Sequence, residues 1–316
     1  MPEQDLVRSR GLGDVYKRQA YISAFDTDSD IIKMLMLVNT KCLIDDFKQR
    51  YLYIDNNRLR DELRYYKFYG AEYNGENLLN IFLPVILGNN AGEKCDKELV
   101  ELVKKYVMYF KIENKYSEYL IATLIYSELI HNLLKNPSIE YDEIMNMIKE
   151  RVISLNIDME KSHVVKFQMY RIGLIKTIDE YKDGKRSSGS DICSGLLDAI
   201  FDIYVEDRDE SADINSIKKV LFSLLGQKIS TEIENIDFVN SMADYTVKLK
   251  KYKINKKEYH AKANPLEIIS LNEGDSIQDP ILNKLTVKSK IINGNLLKIN
   301  VHAKSGEYCF RFAKKS

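Results

Sequence analysis

Apolar residues recur every three to four positions along most of this chain and every second position near its end. That change of period predicts helices first and a short run of strands afterwards. Ile31, Leu35, Val38 and Cys42 fall at helical spacing with Ile32, Met36 and Leu43 beside them, and Asp28 or Ser29 is placed to cap that helix. A second helix fits 57–69, where Leu59, Leu63 and Tyr66 form one stripe and Gly70 is a stop signal. Residues 78–87 are a continuous apolar run broken by Pro84, and 88–92 reads as a loop. Periodic stretches predict further helices at 96–111, 115–135, 138–150, 160–181, 191–206, 213–226 and 231–251. Residues 183–189 (DGKRSSG) read as a flexible linker, and 206–210 as an acidic, solvated loop.

After Pro265 the period becomes two. Leu285, Val287 and Ile291 alternate with Thr286, Lys288 and Lys290, and Asn293-Gly294 is a strong hairpin signal. Leu297, Ile299 and Val301 then alternate with polar neighbours, and a second turn at 304–307 leads to Tyr308, Phe310 and Phe312. The expected fold class is therefore mainly α, a bundle-like multi-helix body with a small C-terminal antiparallel β meander of three strands. A meander of this size is marginal alone, so residues 263–316 are expected to dock on a helical domain spanning 20–262.

Composition supports a folded chain: 45% of residues are apolar, 30% are charged, and glycine (14) and proline (5) are scarce. The four cysteines, Cys42, Cys95, Cys193 and Cys309, are too scattered for a metal-binding pair and suit reduced thiols in the cytoplasm. No apolar run approaches the roughly 20 residues needed to span a bilayer, so no membrane association is expected. Net charge is zero, yet residues 245–316 hold 15 Lys and Arg against 6 Asp and Glu. This asymmetry makes the C-terminal region a candidate surface for a protein partner or an anionic ligand. Residues 7–19 (VRSRGLGDVYKRQ) resemble a mistranslated sequencing adapter. That resemblance implies that residues 1–19 are non-native and disordered and that the natural text begins near Ala20.

Candidate chemistry is sparse. Asp26, Thr27, Asp28 and Asp30 place several oxygen donors within five residues, a pattern that suits a hard cation such as Mg2+. The same carboxylates also suit a helix N-terminus, where they answer unpaired N–H groups. A helix-loop-helix calcium site is excluded, because Ile31 and Leu37 stand where glycine and glutamate are required. Asp45-Asp46 reads as a solvated pair, and His131 falls on the inner stripe of its helix as a core residue. No nucleophile–histidine pattern, phosphate loop or dinucleotide fingerprint is present. Lys248, Lys250, Lys251, Lys253, Lys256 and Lys257 interleave with Tyr252 and Tyr259, which makes them a candidate anion or nucleic-acid surface. A lysine-rich, solvated helix end that balances an acidic body is the plainer account of them.

The order of these pieces resembles the ADP-ribosylglycohydrolase family, which is all-helical and carries an early T-D-D-T metal motif. Phe25-Asp26-Thr27-Asp28-Ser29-Asp30 stands in that position, with Ser29 in place of the second Asp. The Tyr66-x-x-Tyr69-Gly70 helix end, the Leu83-Pro84-Val85 run and the paired helices of 96–135 follow in similar order, so the likeness covers about 21–225. It implies a metal-dependent hydrolase of ADP-ribose-like substrates. The family's late G-G-D-x-D motif is absent, and Gly189-Ser190-Asp191 replaces it poorly. The expectation is a non-catalytic or catalytically decayed helical protein that acts by binding through its basic tail, with metal-dependent hydrolysis or nucleic-acid binding as the alternatives.

Overall fold

The computed structural model describes residues 3–159, 161–187, 189–206, 215–227, 233–254 and 256–313, with side chains from residue 13 onward except Ser162. The chain opens with α1 (Glu3–Phe25) and α2 (Asp30–Cys42), followed by a hairpin of β1 (Leu43–Asp46) and β2 (Tyr51–Ile54). Next come α3 (Asn56–Tyr69), a 3-10 turn (Leu79–Phe82) running into α4 (Leu83–Gly88), α5 (Glu93–Phe110) and α6 (Tyr116–Lys135). The body is completed by α7 (Tyr141–Ser154), α8 (Lys161–Lys182), α9 (Ile192–Tyr204), α10 (Ser216–Leu224) and α11 (Ile236–Lys250). Four antiparallel strands close the chain in sequential order: β3 (Ser276–Asp279), β4 (Asn283–Asn293), β5 (Leu296–Ala303) and β6 (Gly306–Ala313). The fold is mainly α with a C-terminal meander, as the periodicity predicts. Among the described residues no helix is long and apolar enough to cross a membrane.

The body is organised around α6, which is buried on nearly every side from Tyr119 to Leu133 and is apolar all round for that reason. Polar groups that enter this core find partners. Asn39 donates to Ile81 O at 2.6 Å and accepts from the Tyr106 hydroxyl at 2.7 Å. His131 is buried, as expected, with Nε2 3.0 Å from Ile86 O. All four cysteines are free thiols.

Helix α3 belongs to two cores. Leu59, Leu63 and Tyr66 pack into the body, whereas Tyr65 joins the core of the sheet, with Phe68 and Tyr69 packed against it. The ring of Phe68 lies 4.9 Å from that of Phe312, and Tyr69 lies 5.4 Å from Phe310. Polar contacts fix the same junction. Tyr65 OH donates to Asp279 Oδ2 at 2.7 Å, and Asp55 caps α3 with Oδ1 while its Oδ2 accepts from Tyr259 N at 2.7 Å. Asp61 Oδ2 accepts from Tyr259 OH at 3.3 Å and Ala263 N at 3.4 Å. The tail therefore docks on the body.

Several local expectations are corrected. The segment expected to be disordered is helical from Glu3; Tyr16 packs on the core, Asp14 pairs with Lys251 and Arg18 with Asp244. It has no apolar period of its own, but extending the helix anchored by Tyr21, Ala24 and Phe25 avoids the unfavourable nucleation step. Pro84 lies at the start of α4, where its missing N–H is harmless, and so begins a helix rather than breaking one. Gly70 ends α3 with an extended φ of −70°. Glycine is needed there because a Cβ would sit 2.4 Å from the buried Tyr66 ring. The expected linker at 183–189 is tethered by Arg186, whose guanidinium lies 3.5 Å from Asp198, 3.3 Å from Glu206 and against Asp202. Residues 207–210 of the expected acidic loop lie outside the described residues. The sheet has four strands rather than three. Asp45 and Asp46 belong to the β1–β2 hairpin, where Asp46 Oδ1 accepts from Gln49 N at 2.8 Å.

Candidate functional site

The N-terminal ends of α2, α9 and α10 meet the 75–77 loop around a cleft of about 670 Å3. Each helix brings polar residues for a local reason. Ser29, Asp191 and Asn215 are the N-caps, and the last two accept backbone N–H groups of the turns that they cap. Of the candidate metal ligands, Asp26, Thr27 and Asp28 line the cleft. Asp30 does not; it sits exposed in the first turn of α2, where its charge answers the helix dipole.

The carboxylates of the cleft are largely engaged by the protein itself. Lys219, one turn into α10, places Nζ 2.8 Å from Asp26 Oδ2 and donates to Asp26 O at 3.2 Å. Asp191 Oδ1 accepts from Cys193 N at 2.9 Å, Ser194 N at 3.2 Å and the Tyr170 hydroxyl, and its Oδ2 accepts from Ser194 Oγ at 2.6 Å. Burial would raise the Asp191 carboxyl, yet these hydrogen bonds outweigh it and hold the group below the usual range. Tyr170 is correspondingly driven up, by burial first. Glu76 Oε2 accepts from Asn74 N at 2.8 Å. Ser216 Oγ accepts from Asn80 Nδ2 at 2.9 Å. Asp28 is exposed, and the buried Ser29 Oγ has no hydrogen-bond partner.

A hard cation requires several unencumbered oxygens around one point. Among the described residues no three His, Cys, Asp or Glu side chains stand together to hold a metal ion. With Asp26 bridged to an ammonium and Asp191 saturated by donors, these residues do not fit the pair of Mg2+ ions that the family resemblance implies.

The candidate phosphate-binding lysines do not form one surface. Lys250 and Lys256 turn inward. Lys250 Nζ donates to Asn89 O at 2.7 Å, and burial together with the neighbouring Lys17 pushes its pKa down to about 6. Lys256 Nζ donates to Leu43 O at 2.8 Å and to Lys41 O, and burial followed by the Arg58 charge pushes its pKa down to about 8. Lys251 pairs with Asp14, while Lys248, Lys253 and Lys257 are exposed. The inward turn has a geometric cause: Lys250 lies on the α11 stripe of Val239, Ala243 and Val247, which faces the body.

Sequence reasoning missed Lys219, Glu76 and Asn215. The polar pair Asn215-Ser216 at the head of a periodic stretch was an available signal. No local signal joins Lys219 to Asp26, which lies 193 positions earlier. No family model, curated protein or solved structure matches this chain.

Proposed function

We propose that this protein is a catalytically decayed, ADP-ribosylglycohydrolase-like binding protein whose cleft holds a hydroxyl-rich, ADP-ribose-like ligand without a divalent ion and without turnover. The observation that carries this reading is the Lys219–Asp26 ion pair, with Nζ 2.8 Å from Oδ2. An ammonium on that carboxylate supplies the positive charge that a metal would otherwise bring, but it supplies no Lewis acid and no activated water. The remaining polar groups suit the proposed ligand class. Asp28 is exposed and Glu76 half-buried, and their oxygens can accept from ribose hydroxyls. Lys219 is the cation that lines the cleft and would face a diphosphate. The likeness of residues 21–225 to the family supports the same ligand.

Calorimetry with ADP-ribose tests the proposal, run once in EDTA and once in Mg2+, beside chromatography of an ADP-ribosylated peptide. Saturable binding in EDTA, unchanged by Mg2+ and weakened at least fivefold by Asp28→Asn, with no released ADP-ribose, is the expected result. Mg2+-dependent release would restore the hydrolase reading, and absence of ADP-ribose binding in both buffers would remove the ligand assignment.

A further inference from the structure

Outside the cleft, α3 and α5 border a groove of about 510 Å3. Its floor is apolar: Leu59 and Leu63 come from α3, Met108 and Tyr109 from α5. The Tyr109 hydroxyl donates to Leu63 O at 3.1 Å, so this floor leaves that donor satisfied. The rim is cationic. Arg60, Arg64 and Lys67 follow one another at i, i+4 and i+7 along α3, and Lys105 faces them from α5. Among the described residues no acid lines the groove.

The charge balance beneath the rim is uneven. Arg60 Nε and Arg64 Nη1 both approach the same oxygen, Asp61 Oδ1, at 3.3 and 3.6 Å. That carboxylate is 1% exposed, whereas the two guanidinium side chains remain 62% and 58% exposed. One buried negative charge thus orients two arginines while leaving an excess of positive charge at the surface.

We infer that this groove binds a free single-chain amphiphile with an anionic head, a carboxylate or a phosphate. The volume lies in the range of small-molecule sites, and such sites combine an apolar lining with a few placed polar groups. The alkyl chain would displace water from Leu59, Leu63, Met108 and Tyr109 and supply most of the affinity. The row of cations would set the head's position and reject a cationic head, since exposed charge pairs contribute selectivity more than strength. The apolar surface lies between two helices with the cations along its border, an arrangement that suits a single chain with one anionic head.

The test is calorimetry on the full chain with dodecyl phosphate below its micelle concentration, at low salt. One saturable site is expected. Its affinity should fall at least tenfold in Lys67→Glu/Lys105→Glu and in Met108→Glu, at unchanged melting temperature. Lys67→Glu alone, at an exposed position, should weaken it at least threefold and keeps the test intact if the Lys105 contact with Asn56 matters for folding. Dodecyltrimethylammonium should show no saturable site. Equal binding of that cation, indifference to all three variants, or binding to phosphatidylglycerol vesicles but not to monomeric dodecyl phosphate would each overturn the assignment.

Discussion

The cleft and the α3–α5 groove treat charge in opposite ways. In the cleft nearly every carboxylate is answered internally: Asp26 by Lys219, Asp191 by four donors and Glu76 by Asn74 N. In the groove two of the four cations, Arg60 and Arg64, share one buried carboxylate, Asp61. A count of charged residues would rate the acidic cleft as the stronger site for a charged partner, here a cation. Hydrogen bonding reverses that ranking, because a charge already neutralised within the fold has little left to offer a ligand.

The largest effect that could break this comparison is at Asp61. Asp61→Ala would leave Tyr259 OH and Ala263 N without their acceptor and two arginines without a counter-charge. Urea unfolding should show a loss of about 3 kcal/mol. The variant that still folds should bind dodecyl phosphate more tightly than the parent. A loss below about 1 kcal/mol would mean that the rim is not organised by that carboxylate.

Asp191 provides the matching test in the cleft. If it serves α9 as a cap, Asp191→Ala should destabilise by about 2 kcal/mol, the sum of a lost cap and lost side-chain bonds. A carboxylate kept for function at the expense of stability would behave in the opposite sense, and a stabilised variant would end the view of this cleft as internally satisfied.

A smaller, pH-dependent effect is expected from Lys250, which is largely buried beside Lys17. Its folded pKa of about 6 lies below its ordinary value of 10.5. Between those values the unfolded chain holds a proton that the folded chain lacks, so stability rises with pH through that window. Lys256, pushed down to about 8, adds to the rise above that pH. Melting temperatures from pH 6 to pH 9 should increase, and Lys250→Met should flatten the slope. Superimposable profiles would place Lys250 in solvent.

The smallest effect concerns Lys219. Its pair with Asp26 is only partly buried, 21% and 17% exposed, so Lys219→Met should change stability by less than about 1 kcal/mol. Mn2+ titration of this variant should still show no saturable site, because Asp191 remains bound to α9. Tight Mn2+ uptake would show Lys219 to be the sole obstacle to a metal centre.

The elements with strong periodicity are legible in the sequence itself. The stripe of Leu99, Val103 and Val107 defines α5, and the alternation around Asn293-Gly294 defines β4 and β5. The β1–β2 hairpin escaped because each strand has only four residues, too few to separate a period of two from the helical pattern on either side. Strand β3 escaped because SIQD is mostly polar, and pairing with β4 rather than burial holds it. Within the cleft, Asp26, Thr27 and Asp28 were visible as a cluster of oxygens. Their partner was not, since only the folded chain brings α10 beside the head of α2. The inward turn of Lys250 and Lys256 was not legible, because composition counts charges without saying which way they point.

Because α3 forms a wall of both cores, the terminal sheet acts as cladding. A chain ending before β3 would leave Tyr65, Phe68 and Tyr69 facing water, with the Tyr65 hydroxyl deprived of its acceptor Asp279. Such a product would not be a smaller working protein but an adhesive one, prone to self-association. A premature stop that removes the sheet would therefore act as a null allele, even though every residue of the cleft and groove had already been translated.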